Sequence, residues 1–333
     1  MTWIWWIFIV SILIIILYIS NIYYWSGTRC PSFDRMDGKT VIITGSNTGV
    51  GKHTAIELTK RGAHIILACR DRKRTEEALK EICKLSGSNN VEIEIVDLAS
   101  LKSIQECAKR LCGRLSKLDV LINNAGVMMA SEKSVDGYEI HFAVNHLGHF
   151  LLTNLLLDLM KNAPSARIIN VSSTSHAFLN ITMNSDDINF TKPYWRFNAY
   201  SHSKLANILF TNELARRLQN TNITANSLHP GCVQTEIGRN ILGGHYQLIL
   251  NTFMLLLTPI SYYLTKTPEQ GAQTSIYLAS DRRLNHVTGK YFKDCKECSS
   301  SKSSLDQQAA KRLWKLSEEM THLDDALKYV QNN

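Results

Sequence analysis

Apolar residues follow two patterns in this chain: one unbroken run at the start, then short runs separated by amphipathic stretches. Residues 3–24 contain no charged side chain. At about 1.5 Å per helical residue, such a run crosses a hydrocarbon core about 30 Å thick. Trp3, Trp5 and Trp6 at one end, and Tyr23, Tyr24 and Trp25 at the other, suit the two interfaces. The pattern predicts a retained transmembrane anchor over residues 1–25. A cleaved signal peptide fits poorly, because the run is too long, no basic residues lead it and no small-x-small site closes it.

Beyond an expected linker at 26–37, short apolar runs at 39–45, 64–70, 91–98, 118–126, 166–173, 223–231 and 289–292 read as strands. Helical patterns separate them, which predicts an α/β body over 38–298 with a parallel, doubly wound sheet. A ligand crevice is expected at the carboxyl ends of the strands. Residues 241–264 are largely apolar but are interrupted by Asn251 and Pro259, so they suit a cover over a lipophilic ligand better than a second membrane span. Thr267-Pro268-Glu269-Gln270 carries a capping-box start. A Ser-rich joint then leads into a tail, 299–333, where Leu305, Ala309, Leu313, Leu316 and Met320 are spaced as one amphipathic helix.

Composition narrows the partners. A formal charge of +8 on 333 residues suits an anionic cofactor or a membrane surface. Nucleic acid is not expected, since the cations are scattered and form no basic arm. Arg29, Arg35 and Lys39 follow the anchor and none precede it, so the body should face the cytosol. Sequons at Asn170, Asn180, Asn189 and Asn222 would meet the glycosylation machinery in a luminal protein, and Asn170 falls inside an expected strand. The 8 cysteines are irregularly spaced and make no disulfide framework. Cys295 and Cys298 lack a second pair, and His146 and His149 lack acidic partners at ligand spacing, so no metal is expected.

Candidate chemistry centres on two places. If 198–207 is helical, Tyr200 and Lys204 lie one turn apart on the same face, setting a cation beside a phenol whose ordinary pKa is near 10. The first strand runs into Gly45-Ser46-Asn47-Thr48-Gly49-Val50-Gly51 and a helix, a junction that lets backbone approach a pyrophosphate. At the end of the second strand, Asp71 would bind a free ribose hydroxyl. Arg70, with Arg72, Lys73 and Arg74 after it, would instead meet a 2′-phosphate, and this favours NADP(H).

With these motifs the chain resembles a short-chain dehydrogenase/reductase of the membrane-anchored kind, similar to the retinol dehydrogenases of the 11 to 14 group. Thr44-Gly45-x-x-x-Gly49-x-Gly51 matches the cofactor loop of that family, Asn123-Asn124-Ala125-Gly126 its second signature, and Asp97 the acid near the adenine. The resemblance implies a Rossmann fold with a seven-stranded parallel sheet. It implies Asn145, Ser173, Tyr200 and Lys204 as the catalytic set: Asn145 holding a relay water, Ser173 bonding the substrate oxygen, Tyr200 exchanging the proton, and Lys204 binding the ribose and lowering the tyrosine pKa. Ser172 is left a structural role. Pro230, Gly231, Val233 and Thr235 match the segment passing the nicotinamide carboxamide. The expectation is an NADP(H)-dependent oxidoreductase on the cytosolic face of the endoplasmic reticulum, acting on retinol and retinal. A steroid or long-chain aldehyde reductase shares every motif, and a silent cofactor-binding scaffold is a rival of another class. A lipophilic substrate and membrane lipid are the expected partners, and a homodimer is left open.

Overall fold

The computed structural model describes residues 2–20, 27–128, 132–180, 196–234 and 265–331. Helix α1 (Thr2–Ser20) precedes the body. There β1 (Thr40–Thr44) leads to α2 (Gly49–Lys60), β2 (His64–Cys69) to α3 (Arg72–Ser86), and β3 (Val91–Ile95) to α4 (Leu101–Arg114). After β4 (Val120–Asn123) come a turn of helix α5 (Ile140–Phe142), a π-helical turn (Ala143–Leu147) and α6 (Gly148–Lys161). Strand β5 (Ala166–Val171) is followed by a 3-10 turn (Thr174–Asn180) and α7 (Arg196–Arg217), and β6 (Ile223–His229) precedes α8 (Pro268–Ser280). The remaining elements are β7 (Tyr291–Lys293), β8 (Lys296–Glu297), α9 (Gln307–Thr321) and α10 (Leu323–Gln331).

The sheet runs in the order β3-β2-β1-β4-β5-β6-β7-β8. Strands β1 to β7 are parallel and β8 pairs antiparallel with β7. Successive strand residues point to opposite faces. Val41, Ile43, Ile65 and Leu67 pack against α2, α3 and α8, whereas Ile42, Ile66, Leu121 and Ile168 pack against α4, α6 and the C-terminal helices. Burial on both faces is why these strands read as unbroken apolar runs. The strand order reverses between β1 and β4, so their carboxyl ends part there and open the crevice.

Several expectations need correction. The sheet has eight strands, not seven: β8 is two exposed polar residues with no apolar signal, turned back through Asp294 and Cys295, whose φ values of 51° and 57° suit a tight hairpin. The segment expected as a linker is partly docked, with Cys30, Ser32 and Met36 buried and the Cys30 amide donating to Gln273 Oε1 at 2.9 Å. The tail forms two helices, broken at His322 with φ 46°, and Leu305 lies outside them and is exposed. Trp314 of α9 packs on Phe150 at 5.0 Å, so the tail completes the main core. The capping box at Thr267 forms as expected.

Among the described residues no helix is long and apolar enough to cross a membrane. Helix α1 has 19 residues, or about 28 Å of rise, and the expected aromatic end at 23–25 lies outside the described residues. Trp3, Trp5, Phe8, Leu13 and Ile16 are nonetheless exposed along it. The apolar segment at 241–264, Thr235 and the sequon at Asn189 also lie outside. Asn170 is buried in β5, bonded to Asn123 and Thr211, where no glycan fits.

Candidate active site

Thr44, the last residue of β1, builds the floor of the crevice. Its Oγ accepts the amides of Asn124 and Ala125, both at 2.9 Å. Its single proton goes to His149 Nε2 at 2.9 Å, since the Asn145 carbonyl can only accept and therefore takes the Nδ1 proton at 3.1 Å. Asn124 in turn donates to the Thr44 and Gly45 carbonyls at 2.8 and 3.2 Å. This stitching brings the two signatures together. A Cβ on Gly45 would lie 2.9 Å from Ala125 Cα, and one on Gly51 would lie 2.5 Å from Asn124 Nδ2, so side chains there would push the loop open.

The loop fits a dinucleotide. Glycines keep it close-packed, and Thr48, the residue before α2, makes no side-chain cap, so the first amides of that helix receive no acceptor from its side chain. Ser46 spends its hydroxyl on the Ile43 carbonyl at 2.9 Å, and Val50 packs into the core, so either could serve a ligand only through backbone. Asn47 and Gly126 are partly exposed. At the end of β2, Asp71 is occupied: its carboxylate caps α3 by accepting the Arg74 amide at 3.0 Å. Arg70 is exposed beside it. Asp97, after β3, accepts the Ala99 amide at 2.9 Å and is half-buried.

The catalytic candidates meet beyond the end of β5. Tyr200 and Lys204 share a face of α7, with the Lys204 ammonium 5.7 Å from the phenol ring centroid. Lys204 donates to the Val171 carbonyl at 3.1 Å, and Ser172 donates to the Lys204 carbonyl at 2.7 Å, which pins α7 to β5. Asn145 sits in the π-helical turn, where its amide accepts the Val127 N–H at 2.8 Å and donates to Ser203 Oγ at 2.9 Å. Ser203 passes the link on to the Tyr200 carbonyl at 2.6 Å. Gly231, with φ 99°, turns the chain after β6 between Pro230 and Val233, and Val233 bridges to Lys266. Thr235 is not among the described residues.

Burial governs the protonation of these groups. Desolvation pushes the Tyr200 phenol up to about 12, with the Ser173 hydroxyl pulling the other way. Desolvation likewise brings Lys204 down to about 8. The direction at Tyr200 is opposite to the lowering expected from Lys204, because burial disfavours the phenolate. His146 and His149 are packing and hydrogen-bonding groups, as expected, held neutral by burial with pKa values of about 3 and about 4.

Residue-level reading of the sequence missed the supports: Thr44 as a fourfold hydrogen-bonding centre, Ser203, and the buried amide row Asn123, Asn170 and Asn207. Their one signal was polarity inside apolar runs. The π-helical turn left no signal in the residue pattern.

The sequence profile of the short chain dehydrogenase family matches residues 39–243. Human retinol dehydrogenase 13 is 47% identical over 303 residues, covering 90% of each chain. Human retinol dehydrogenase 14 is 46% identical, covering 86% of this chain and 88% of its own. Among solved structures, an uncharacterized protein from Mycobacterium paratuberculosis is 32% identical with a TM-score of 0.69, covering 89% of this chain and 98% of its own. A short chain dehydrogenase from Escherichia coli complexed with NADPH, 21% identical with a TM-score of 0.60, covers 79% of this chain and 99% of its own and shares the fold. With its crevice, its Tyr200–Lys204 pair and these relatives, the chain belongs to the short chain dehydrogenase family of nicotinamide-dependent oxidoreductases and resembles retinol dehydrogenases 11 to 14.

Proposed function

We propose that this chain interconverts retinol and retinal with NADP(H), working mainly as a reductase. The observation that carries the reading is the meeting of Ser173, Tyr200 and Lys204 at the end of β5, in a chain 47% identical to a retinol dehydrogenase. The nicotinamide, held by the Gly45–Gly51 loop, Asp97, Asn124 and Lys204, would supply the hydride. The Ser173 hydroxyl donates a hydrogen bond to the substrate carbonyl oxygen, which favours charge building there. Tyr200 delivers its proton to that oxygen, and its burial keeps the proton in place until then. Lys204 orients the ribose, and Asn145 fixes the π-helical turn against Val127 and α7 so that a relay of protons to solvent has a rigid wall.

Preference for NADP(H) is supported by Arg70, exposed at the end of β2, while Asp71 is spent on capping α3. Arg70→Ala is expected to raise KM for NADPH by about 10- to 100-fold, the worth of a charge-assisted contact, and to leave KM for NADH unchanged. Steady-state kinetics with both cofactors measures it, and equal changes for the two would remove Arg70 from the 2′-phosphate site.

Attachment to the cytosolic face of the endoplasmic reticulum membrane is supported by the exposed apolar side chains of α1 and by Arg29, Arg35 and Lys39 following it. A membrane-borne enzyme draws on lipophilic substrates. The test is full-length protein in lipid vesicles with NADPH and a panel of all-trans-retinal, a ketosteroid and a long-chain aldehyde. Fastest NADPH oxidation with retinal supports the reading, and a faster steroid or aldehyde moves the substrate class. No oxidation with any member sinks the enzymatic reading and leaves a cofactor-binding membrane scaffold.

A further inference from the structure

His176 lies three residues beyond Ser173 in the 3-10 turn, buried, and the proton-transfer scheme above gives it no part. Its Nδ1 is 2.5 Å from the Ser173 carbonyl oxygen, and its Nε2 is 3.1 Å from the amide nitrogen of Ser301. A backbone carbonyl only accepts and a backbone N–H only donates. Nδ1 therefore carries the proton and Nε2 offers its lone pair, so both bonds form only in the neutral Nδ1–H tautomer. The ring also packs on Tyr291 of β7 with centroids 5.2 Å apart. The Ser175 amide donates to Ser173 Oγ at 3.2 Å, which uses an acceptor site on the serine and leaves its proton for donation.

We propose that His176 is a positioning residue: it clamps the turn that carries Ser173 to the C-terminal segment at Ser301, and so fixes where the Ser173 hydroxyl points. The inference rests on the reading of Ser173 as the group that bonds the substrate oxygen. A misplacement of the serine leaves cofactor binding intact and weakens only contacts to the reacting oxygen. Protonating Nε2 would set an N–H against the Ser301 N–H and open the clamp. The titratable neighbours do not compete for that role. His229, whose Nδ1 accepts the Thr174 amide at 3.3 Å, is held neutral with a pKa of about 3 by burial and by Lys293 and Lys266, with Asp294 opposing. Burial keeps the Tyr291 and Tyr200 phenols protonated. Burial also holds His176 itself below the ordinary histidine range, so the clamp is closed at neutral pH and opens on acidification.

Ser301 has φ −65° and ψ 155°, a conformation proline adopts without strain, so Ser301→Pro deletes the one donor and leaves the catalytic turn unaltered. The expected result in full-length protein is a kcat for carbonyl reduction lower by about tenfold at neutral pH, with KM for NADPH unchanged. The acid limb of kcat should also flatten, because no contact is left for protonation to break. His176→Phe keeps the ring on Tyr291 and should show the same loss. Nitrogen-15 NMR of histidine-labelled wild type, with His176 assigned from the signal missing in His176→Phe, should report the Nδ1–H tautomer. The clamp is overturned by kcat within about twofold of wild type in both variants, by a loss that keeps the full acid limb, or by an Nε2–H tautomer. If wild type reduces no carbonyl, the functional reading falls instead, and the NMR tautomer still decides whether the clamp exists.

Discussion

Tyr200→Phe is expected to lower kcat for carbonyl reduction by about 10³-fold while leaving NADPH affinity within about twofold, the range for loss of a positioned general acid. Phenylalanine keeps the ring that packs near His141 at 6.4 Å and Phe197 at 6.5 Å, so the substitution removes the hydroxyl and little else. In the proposed reaction that hydroxyl gives a proton. Burial holds its pKa at about 12, so it stays protonated at physiological pH, as reduction requires. Oxidation of the alcohol needs the phenolate, and its rate should climb with pH where the reduction rate does not. Pre-steady-state kinetics in both directions and a cofactor fluorescence titration measure these quantities. A variant retaining more than about a tenth of wild-type kcat would falsify the assignment of Tyr200 as the acid.

Lys204→Met is expected to make the protein more stable and nearly inactive at once. The Lys204 side chain is buried, and its ammonium donates to the Val171 carbonyl, a neutral acceptor. Burial lowers its pKa from 10.5 to about 8. Because the folded pKa lies below the unfolded one, the unfolded chain binds more protons between those values, and stability rises with pH across that window. Below about 8 the folded protein carries the charge at a cost of about 3 kcal/mol, taking 1.36 kcal/mol per pKa unit. Methionine has similar length and no charge, so the variant should gain about 2–3 kcal/mol at pH 7 and melt several degrees higher. The gain should shrink as the pH approaches the ordinary lysine range. Activity should fall by about 100-fold or more, since the proposed ribose contact and the cation beside Tyr200 would both be lost. Thermal melts at two pH values, with assays alongside, test it. A variant no more stable than wild type at pH 7 would show that the charge is relieved by a contact other than Val171.

Under the proposed function, the cost at Lys204 is of the kind that activity imposes on a fold. In that proposed function its charge serves Tyr200 and the cofactor, while stability alone would favour an apolar residue there. The same holds for Asn145, Asn123 and Asn170, amides in surroundings where leucine or valine would otherwise pack.

Much of the site was legible because it rests on local spacing. Tyr200 and Lys204 lie one helical turn apart wherever α7 sits, and Gly45, Gly49 and Gly51 mark a strand-to-helix junction by composition alone. Arg70 could be placed at the end of β2 by the same counting. Asp71 was harder, because a carboxylate just before a helix can either cap it or bind a ligand. The coordinates decide for the cap. The joint at 299–304 read as a mere connection, since nothing in a serine-rich stretch indicates that one of its amides reaches the turn after Ser173.

The sequence by itself determined the parallel α/β architecture, the positions of the strands, the glycine-rich junction after the first of them and the one-turn spacing of Tyr200 and Lys204, while Asn145 and Ser173 were candidates only through the family resemblance. These follow from period, from glycine and proline chemistry, and from motif order, all of which are properties of near neighbours along the chain. Only the tertiary structure decided the eighth strand, the docking of Met36 and Trp314, the π-helical turn around Asn145, and the hydrogen bonds joining Thr44 to Asn124 and His176 to Ser301. It also decided the direction of the pKa shift at Tyr200. Each of these depends on which distant groups share a buried space, and desolvation and hydrogen bonding act through space rather than along the chain.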